Sequence, residues 1–212
     1  MRRIPLKLEL PEKLWWDHNA WYRRWLFRQL PSRARTALDV GCGHGVLART
    51  IPADEVTAID ASERMIEIAS STDRDSRVRW VRGDVFTEDL GRFDVVTAEA
   101  SLHHLPLREG LERLRELTAP GGTLVVVGLY TIATPLDWAV EAVTLPANAI
   151  VGAVKAATGT AGKPYDVDMP VVMSAPTLNE IREAAAEILP GARIRRRLFW
   201  RYSMVWHAPE VH

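Results

Sequence analysis

A glycine-rich turn between two apolar segments constrains the fold of this chain more than any other feature. Its sequence, TALDVGCGHGVLAR, spans residues 36–49 and joins a strand-like apolar run to a segment with helical spacing. Glycines stand at positions 41, 43 and 45. Because a side chain at Gly41 or Gly43 would block a nucleotide lying across the strand end, the turn predicts a ligand-binding loop.

Short apolar runs and helical patterns alternate along the middle of the chain. The predicted strands are residues 36–40, 55–59, 78–82, 93–98 and 123–129, and the predicted helices between them are residues 45–50, 63–70 and 107–117. A last helix over residues 177–189 and two antiparallel strands in residues 193–208 follow. This order predicts an α/β fold with a Rossmann-like doubly wound sheet, mostly parallel with an antiparallel C-terminal strand.

The length of 212 residues and the hydrophobic content of 47% fit a single domain over residues 1–212. Residues 1–32 are rich in tryptophan at helical spacing and predict a helical cap packed on the sheet. Residues 131–174 break the alternation and predict an insertion after the fifth strand. The apolar content of this insertion is typical of a hydrophobic ligand site or of a dimer contact, so both a monomer and a homodimer stay open.

Several classes of protein are disfavoured by the composition. The formal net charge is zero, so no overall field attracts nucleic acid. The single cysteine, Cys42, excludes an internal disulfide and a thiolate metal site, and we expect no metal and a cytoplasmic location. We expect no membrane span, because the apolar segment 138–157 is interrupted by Glu141, Pro146, Asn148 and Lys155.

Carboxylates follow two of the predicted strands. Asp60 ends the second strand, where a carboxylate can accept hydrogen bonds from both hydroxyls of a ribose. Asp84 ends the third strand, where a carboxylate and the next backbone amide could bind the edge of an adenine. Alternatively, Asp39 and Asp60 could cap helices, and Asp84 could only turn the chain. Val46 stands where a dinucleotide-binding loop requires its third glycine, which disfavours a nicotinamide cofactor.

Five segments in this order resemble the class I methyltransferases that use S-adenosylmethionine. They are LDVGCGHG, AIDAS, RGDVF, FDVVTAEASLHHL and LTAPGGTLVVVGL, and together they cover roughly residues 36–129. The resemblance implies that the protein binds S-adenosylmethionine and transfers its methyl group. It assigns cofactor-binding roles to nine residues: Asp39 supporting the loop, Gly41 and Gly43 lining the methionine moiety, Asp60 holding the ribose, Ala61 and Met65 flanking the adenine, Asp84 and Val85 binding its edge, and the backbone near Glu99 meeting the amino group.

A sulfonium is a strong electrophile, so the chain must mainly align a nucleophile behind the methyl group and exclude water. His104, after the fourth strand, is the first candidate for a general base, and His18 in the tryptophan-rich segment is the second. Trp15, Tyr22 and His103 are the predicted substrate contacts, with core packing as the alternative for the two aromatic residues.

The function that these features favour is methyl transfer to oxygen, nitrogen, sulfur or carbon of a small, apolar acceptor. Three alternatives stay open at this stage. Five arginines between positions 193 and 201 are compatible with a nucleic-acid methyltransferase, although a charged strand edge also explains them. The other two are an NAD(P)-dependent oxidoreductase and a scaffold that binds the cofactor without turnover.

Overall fold

The computed structural model describes residues 16–74, 77–161 and 175–210. Seven strands form one sheet: β1 (Ala34–Val40), β2 (Ala53–Asp60), β3 (Val78–Arg82), β4 (Phe93–Glu99), β5 (Thr118–Leu129), β6 (Arg193–Arg196) and β7 (Arg201–His207). Their order is β3-β2-β1-β4-β5-β7-β6, and β1 to β5 run parallel. Strand β7 is antiparallel to both of its neighbours. The predicted doubly wound, mostly parallel sheet is confirmed.

The described part of the chain has five α-helices beside the sheet: α1 (His18–Phe27), α2 (Glu63–Thr72), α3 (Leu107–Leu117), α4 (Pro135–Ala157) and α5 (Leu178–Ile188). Their starts follow local capping chemistry. The side chain of Ser62 accepts a hydrogen bond from the backbone of Met65 at the start of α2, and reciprocal capping boxes begin α4 and α5. Helix α3 has the predicted bounds, and α2 ends two residues later than predicted.

The prediction of a helix over residues 45–50 is wrong. After β1 the chain passes through turns, and only one 3-10 turn forms, over Ala48–Thr50. Gly45 has φ +73°, which is the left-handed region and does not start a right-handed helix. Because β2 begins at Ala53, right after Pro52, too few residues remain for a regular helix.

Buried side chains form two apolar cores, one on each face of the sheet. One core contains leucines of α3, such as Leu111 and Leu114, together with α5 residues such as Ile181. The other contains Tyr22 and Leu26 of α1, and partly buried residues of α4 pack against it. Helices α1 and α4 therefore cover the same face of the sheet.

Helix α4 accounts for the first half of the predicted insertion, and residues 162–174 lie outside the described residues. In the described part of the chain, α4 is the one helix long and apolar enough to cross a membrane by length and composition. Its polar residues nevertheless face the protein, since Asp137, Glu141 and Asn148 are buried. The polar residues that interrupt this apolar segment in the sequence are thus the side chains that α4 directs towards the rest of the protein.

The turn before the 3-10 helix yields a stability prediction. A Cβ at Gly45 would lie 2.1 Å from the Trp80 ring, whereas a Cβ at Gly91 would meet nothing within 4 Å. Both glycines have a positive φ, so Gly45→Ala and Gly91→Ala share the backbone strain and differ in the clash. We expect urea unfolding to show a loss of about 1 kcal/mol for Gly91→Ala and roughly 2–4 kcal/mol for Gly45→Ala. Equal losses would contradict the packing of Trp80 on this turn.

Candidate active site

The carboxyl ends of β1, β2 and β4 meet at one edge of the sheet because these parallel strands are neighbours. The backbone amides of Gly41 and Cys42 both donate to the carbonyl of Ile59, at 2.8 and 3.0 Å, which ties the glycine loop to the end of β2. Open α/β sheets bind their ligands at this edge, where the strand order reverses. The edge is therefore the candidate active site.

The glycines of the loop are needed for different reasons. Gly41 has φ +69°, and a Cβ there would lie 2.3 Å from Cβ of Ser101, whose hydroxyl donates to the Val40 carbonyl at 2.5 Å. Gly43 has φ +50°, and a Cβ there would meet no atom of the described residues within 4 Å. The structure thus gives Gly41 a packing requirement, while Gly43 borders open space. Ligand contact remains a prediction for both.

Asp60 organises the start of this loop. One carboxylate oxygen accepts a hydrogen bond from the Gly43 amide at 2.9 Å, and the other accepts one from the Ser62 amide at 2.8 Å. A carboxylate has about four acceptor positions, so two remain for further donors. Next to it, Ala61 is exposed and Met65 is buried, which places an apolar side chain beside Asp60.

Asp84 forms a turn after β3. Its carboxylate accepts from the Phe86 amide at 3.0 Å, which is the turn-forming role considered as the alternative for this residue. The side chain is exposed and keeps acceptor positions. Val85 is buried, and Arg113 donates to its carbonyl at 2.8 Å. Adenine binding by Asp84 and Val85 stays a prediction.

Two buried carboxylates lie near this edge, and each has one oxygen without a hydrogen-bond partner in the described part of the chain. Asp39 accepts from the Thr97 hydroxyl at 2.9 Å through its other oxygen, and burial raises the pKa of Asp39 to about 7. Glu99 accepts from Arg23 at 3.0 Å. Burial raises the pKa of Glu99 although Arg23 opposes the shift. A buried oxygen without a hydrogen-bond partner costs free energy of folding, so these two oxygens favour a ligand that is cationic or donates hydrogen bonds.

Two arginines near Glu99, Arg23 and Arg201, were not predicted from the sequence as residues of this site. Arg23 of α1 pairs with Asp17 at 3.3 Å as well as with Glu99. Arg201, at the start of β7, is partly buried and donates to Asn19 at 3.0 Å. Burial lowers the pKa of Arg201 to about 10, while Glu99 opposes this shift. No local pattern marks these contacts, since Arg23 and Glu99 are 76 positions apart.

The two histidines after β4 lie in a 3-10 turn, Leu102–His104, with ring centroids 4.2 Å apart. Burial lowers the pKa of His103 to about 4. Burial also lowers the pKa of His104, although the carboxylate of Asp60 opposes this shift. His104 is the more exposed of the two. Both imidazoles are therefore neutral at pH 7 and able to accept a proton.

The described residues of the tryptophan-rich segment pack against α4 and against the turn before β7. His18 is 2.9 Å from the side-chain oxygen of Asn148 on α4, and burial lowers the pKa of His18 to about 4. Tyr22 is buried, and its hydroxyl donates to the Leu198 carbonyl at 2.8 Å. Trp15 lies outside the described residues. The predicted catalytic role of His18 and substrate roles of Trp15, Tyr22 and His103 remain predictions.

The C-terminal arginines do not form one exposed basic surface. Arg193 and Arg195 are exposed on the edge strand β6. Arg196 pairs with buried Asp137 at 2.7 Å, Arg197 lies over the Trp25 ring at 4.6 Å, and Arg201 donates to Asn19 at 3.0 Å. Three of the five side chains thus serve internal contacts.

Comparisons with known proteins give the family. A family profile described as a methyltransferase domain matches residues 38–124. An uncharacterized methyltransferase of Mycobacterium bovis is 35% identical over 204 residues, which cover 92% of this chain and 98% of that protein. The chain belongs to the methyltransferases. The methyltransferase also resembles a ubiquinone biosynthesis O-methyltransferase of Pseudomonas paraeruginosa, at 29% identity over 55% of the chain and 58% of that enzyme.

A solved structure agrees with this fold. The N-methyltransferase NodS of Bradyrhizobium japonicum, in complex with S-adenosyl-L-homocysteine, superposes with a TM-score of 0.58 at 18% identity. The alignment covers 90% of this chain and 87% of NodS. The methyltransferase therefore has the same fold as NodS over most of both chains.

Buried Asp39 yields a pH prediction. Its pKa is raised in the folded protein, so its contribution to stability is present near pH 4 and is lost as the pH rises to about 7. Asp39→Asn removes this titration. We expect the free energy of unfolding of Asp39→Asn, relative to the unsubstituted protein, to be roughly 2–3 kcal/mol more favourable at pH 8 than at pH 5. Urea unfolding at both pH values measures it, with exposed Asp54→Asn as the control; a difference independent of pH would contradict the burial argument.

Proposed function

We propose that this methyltransferase binds S-adenosylmethionine at the carboxyl ends of β1 to β4 and methylates a small, apolar acceptor. The observation that carries the proposal is the junction between the glycine loop and Asp60, because it sets a bare backbone beside a carboxylate with spare acceptor positions. When bound, S-adenosylmethionine supplies an electrophilic methyl group on a sulfonium. The enzyme is an S-adenosylmethionine-dependent methyltransferase.

The residues present fit this cofactor in three respects. Gly43 borders open space, so the backbone can approach a ligand closely. Asp60 can accept further hydrogen bonds from hydroxyl groups such as those of a ribose. The unpartnered oxygens of Asp39 and Glu99 match a cationic amino acid group, which would also lower the raised pKa of each carboxyl group.

The cofactor contacts that we propose follow the strand ends. Asp39 and the backbone near Glu99 bind the amino acid end, with Gly41 and Gly43 along the methionine chain. The ribose lies against Asp60. The adenine lies between Ala61 and Met65 on one side and the turn that contains Asp84 and Val85 on the other.

The two histidines after β4 support our proposal for the acceptor side of the site. His104 is our proposed general base, because its imidazole is neutral at pH 7 and lies within the electrostatic reach of Asp60. His103 lines the acceptor site, and His18, Tyr22 and Trp15 contribute from the tryptophan-rich segment. Helix α1 excludes water from this region through its contact with Glu99. The name of the ubiquinone O-methyltransferase relative is compatible with an apolar acceptor.

We further propose that residues 1–32 cap the site, that residues 131–174 shape acceptor binding, and that the enzyme works in the cytoplasm as a monomer or homodimer. The single buried Cys42 is compatible with a reducing compartment. Nucleic acid is a less suitable acceptor because the C-terminal arginines are mostly engaged internally.

Calorimetry tests the role of Asp60. We expect Asp60→Ala to weaken binding of S-adenosylhomocysteine by roughly 2–4 kcal/mol, because charged hydrogen bonds to the ligand are lost. Asp54→Ala is the matched control, since Asp54 lies near the opposite end of β2 in an exposed ion pair with Arg33. Unchanged affinity of Asp60→Ala would overturn the ribose assignment.

Turnover tests the role of His104. With labelled S-adenosylmethionine and a panel of phenols, thiols and amines with apolar substituents, we expect His104→Ala to slow methyl transfer about 100-fold with unchanged cofactor affinity. Because burial lowers the pKa of His104, the rate of the unsubstituted enzyme should fall to half at a pH below the ordinary pKa of histidine, about 6.5. His207→Ala, at the opposite edge of the sheet, is the control. Full turnover of His104→Ala would make this histidine structural.

A further inference from the structure

The outer face of α4 is apolar along its whole length. Its exposed positions carry only proline, leucine, tryptophan, alanine, valine and isoleucine. Five of the eight exposed large hydrophobic side chains recorded for the described residues belong to this helix: Leu136, Trp138, Val143, Ile150 and Val154. Surface helices of soluble domains usually carry charged residues on the outer face and apolar residues on the inner face. Helix α4 has the opposite distribution.

Contacts on the inner face hold α4 in this orientation. Asp137 pairs with Arg196 at 2.7 Å, and Glu141 accepts a hydrogen bond from the Trp200 indole at 3.0 Å. Asn148 accepts one from the Trp16 indole at 2.8 Å. Turning the apolar face inward would break these contacts and leave Arg196 and the indole N–H groups of Trp200 and Trp16 without their partners. The apolar face is therefore a fixed feature of the surface.

A second copy of the chain is a poor occupant for this face. A 23-residue helix is about 35 Å long and 10 Å wide, so two such faces would bury about 700 Å² in total. Stable protein interfaces bury about 1,200 Å² or more and form about ten hydrogen bonds. The exposed positions of α4 offer no polar side chain for such bonds. The acyl region of a lipid bilayer, which requires only apolar contact, fits this face better.

Helix α1 adds charge on the same side of the protein. Trp21 and Arg24 of α1 and Arg28, the residue that caps its end, are exposed. They are three, four and seven positions apart and share one helical face. Since α1 and α4 both pack on the same core, their outer faces point away from the same face of the sheet. Tryptophan and arginine beside an apolar helix face are typical of segments that lie at the surface of anionic membranes.

We propose that the outer face of α4, together with Trp21 and Arg24 of α1 and its capping residue Arg28, docks the protein onto an anionic lipid bilayer. Helix α4 lies in the plane of the interface with its apolar side in the acyl boundary and does not cross the membrane, because its polar side is bound to the protein. Lys155, near the end of α4, can reach the headgroups. This docking is independent of the proposed methyl transfer.

Flotation with vesicles tests the proposal without any activity assay. We expect the full chain to float with vesicles of phosphatidylcholine and phosphatidylglycerol at 7:3, and less with phosphatidylcholine alone. Ile150→Glu should lower the bound fraction about tenfold, because a charge enters the apolar boundary. Ala153→Glu on α4 and Ala186→Glu on α5 are a matched pair of exposed sites, and only the first should reduce binding. Arg24→Ala with Arg28→Ala should reduce the preference for anionic vesicles.

Three results would overturn the proposal. They are absence of flotation with anionic vesicles, flotation that Ile150→Glu and Ala153→Glu leave unchanged, and a dimer in sedimentation equilibrium that Ile150→Glu dissociates. The last result would assign the face to a second copy. Circular dichroism and urea unfolding of each variant establish that loss of binding is not loss of folding, since all substituted positions are exposed.

Discussion

The ion pair between Arg23 and Glu99 joins the two parts of the proposed active site. Glu99 ends β4 and Arg23 lies on α1, so their contact at 3.0 Å ties α1 to the carboxyl end of β4. A buried pair of this kind contributes little net stability, whereas removal of one partner leaves a buried charge and costs about 3–5 kcal/mol. Together with the core packing of Tyr22 and Leu26, this contact holds α1 against the sheet, and the proposed cap over the site depends on it.

The core of the fold was predictable because its determinants are local. The alternation of apolar runs with helical patterns predicted β1 to β5, α2 and α3, and the antiparallel end of the sheet, since strand and helix periods are short-range properties of the sequence. The same holds for Asp60, which follows its strand directly. The prediction of a helix after Gly45 was wrong because β2 begins only a few residues later, at Ala53. The ring of Trp80, 35 positions away, also packs against that glycine.

Contacts between distant segments could not be predicted in this way. Nothing in the run of C-terminal arginines distinguishes Arg201, which is partly buried and bonded to Asn19, from Arg193, which is exposed. In the sequence the polar residues of α4 only interrupt an apolar segment, whereas in the structure Asp137 and Glu141 attach the helix to β6 and to the turn before β7. The direction in which an amphipathic helix faces depends on partners elsewhere in the chain, here Arg196 and Trp200.

Cofactor identity is the central claim, and titration calorimetry tests it most directly. The purified full chain would be titrated in parallel with S-adenosylhomocysteine and with NADH. The proposed site, with its bare loop at Gly43 and the carboxylate of Asp60, predicts saturable one-to-one binding of S-adenosylhomocysteine and no response to NADH. Binding of NADH without binding of S-adenosylhomocysteine would contradict the account of the glycine loop and the function proposed from it.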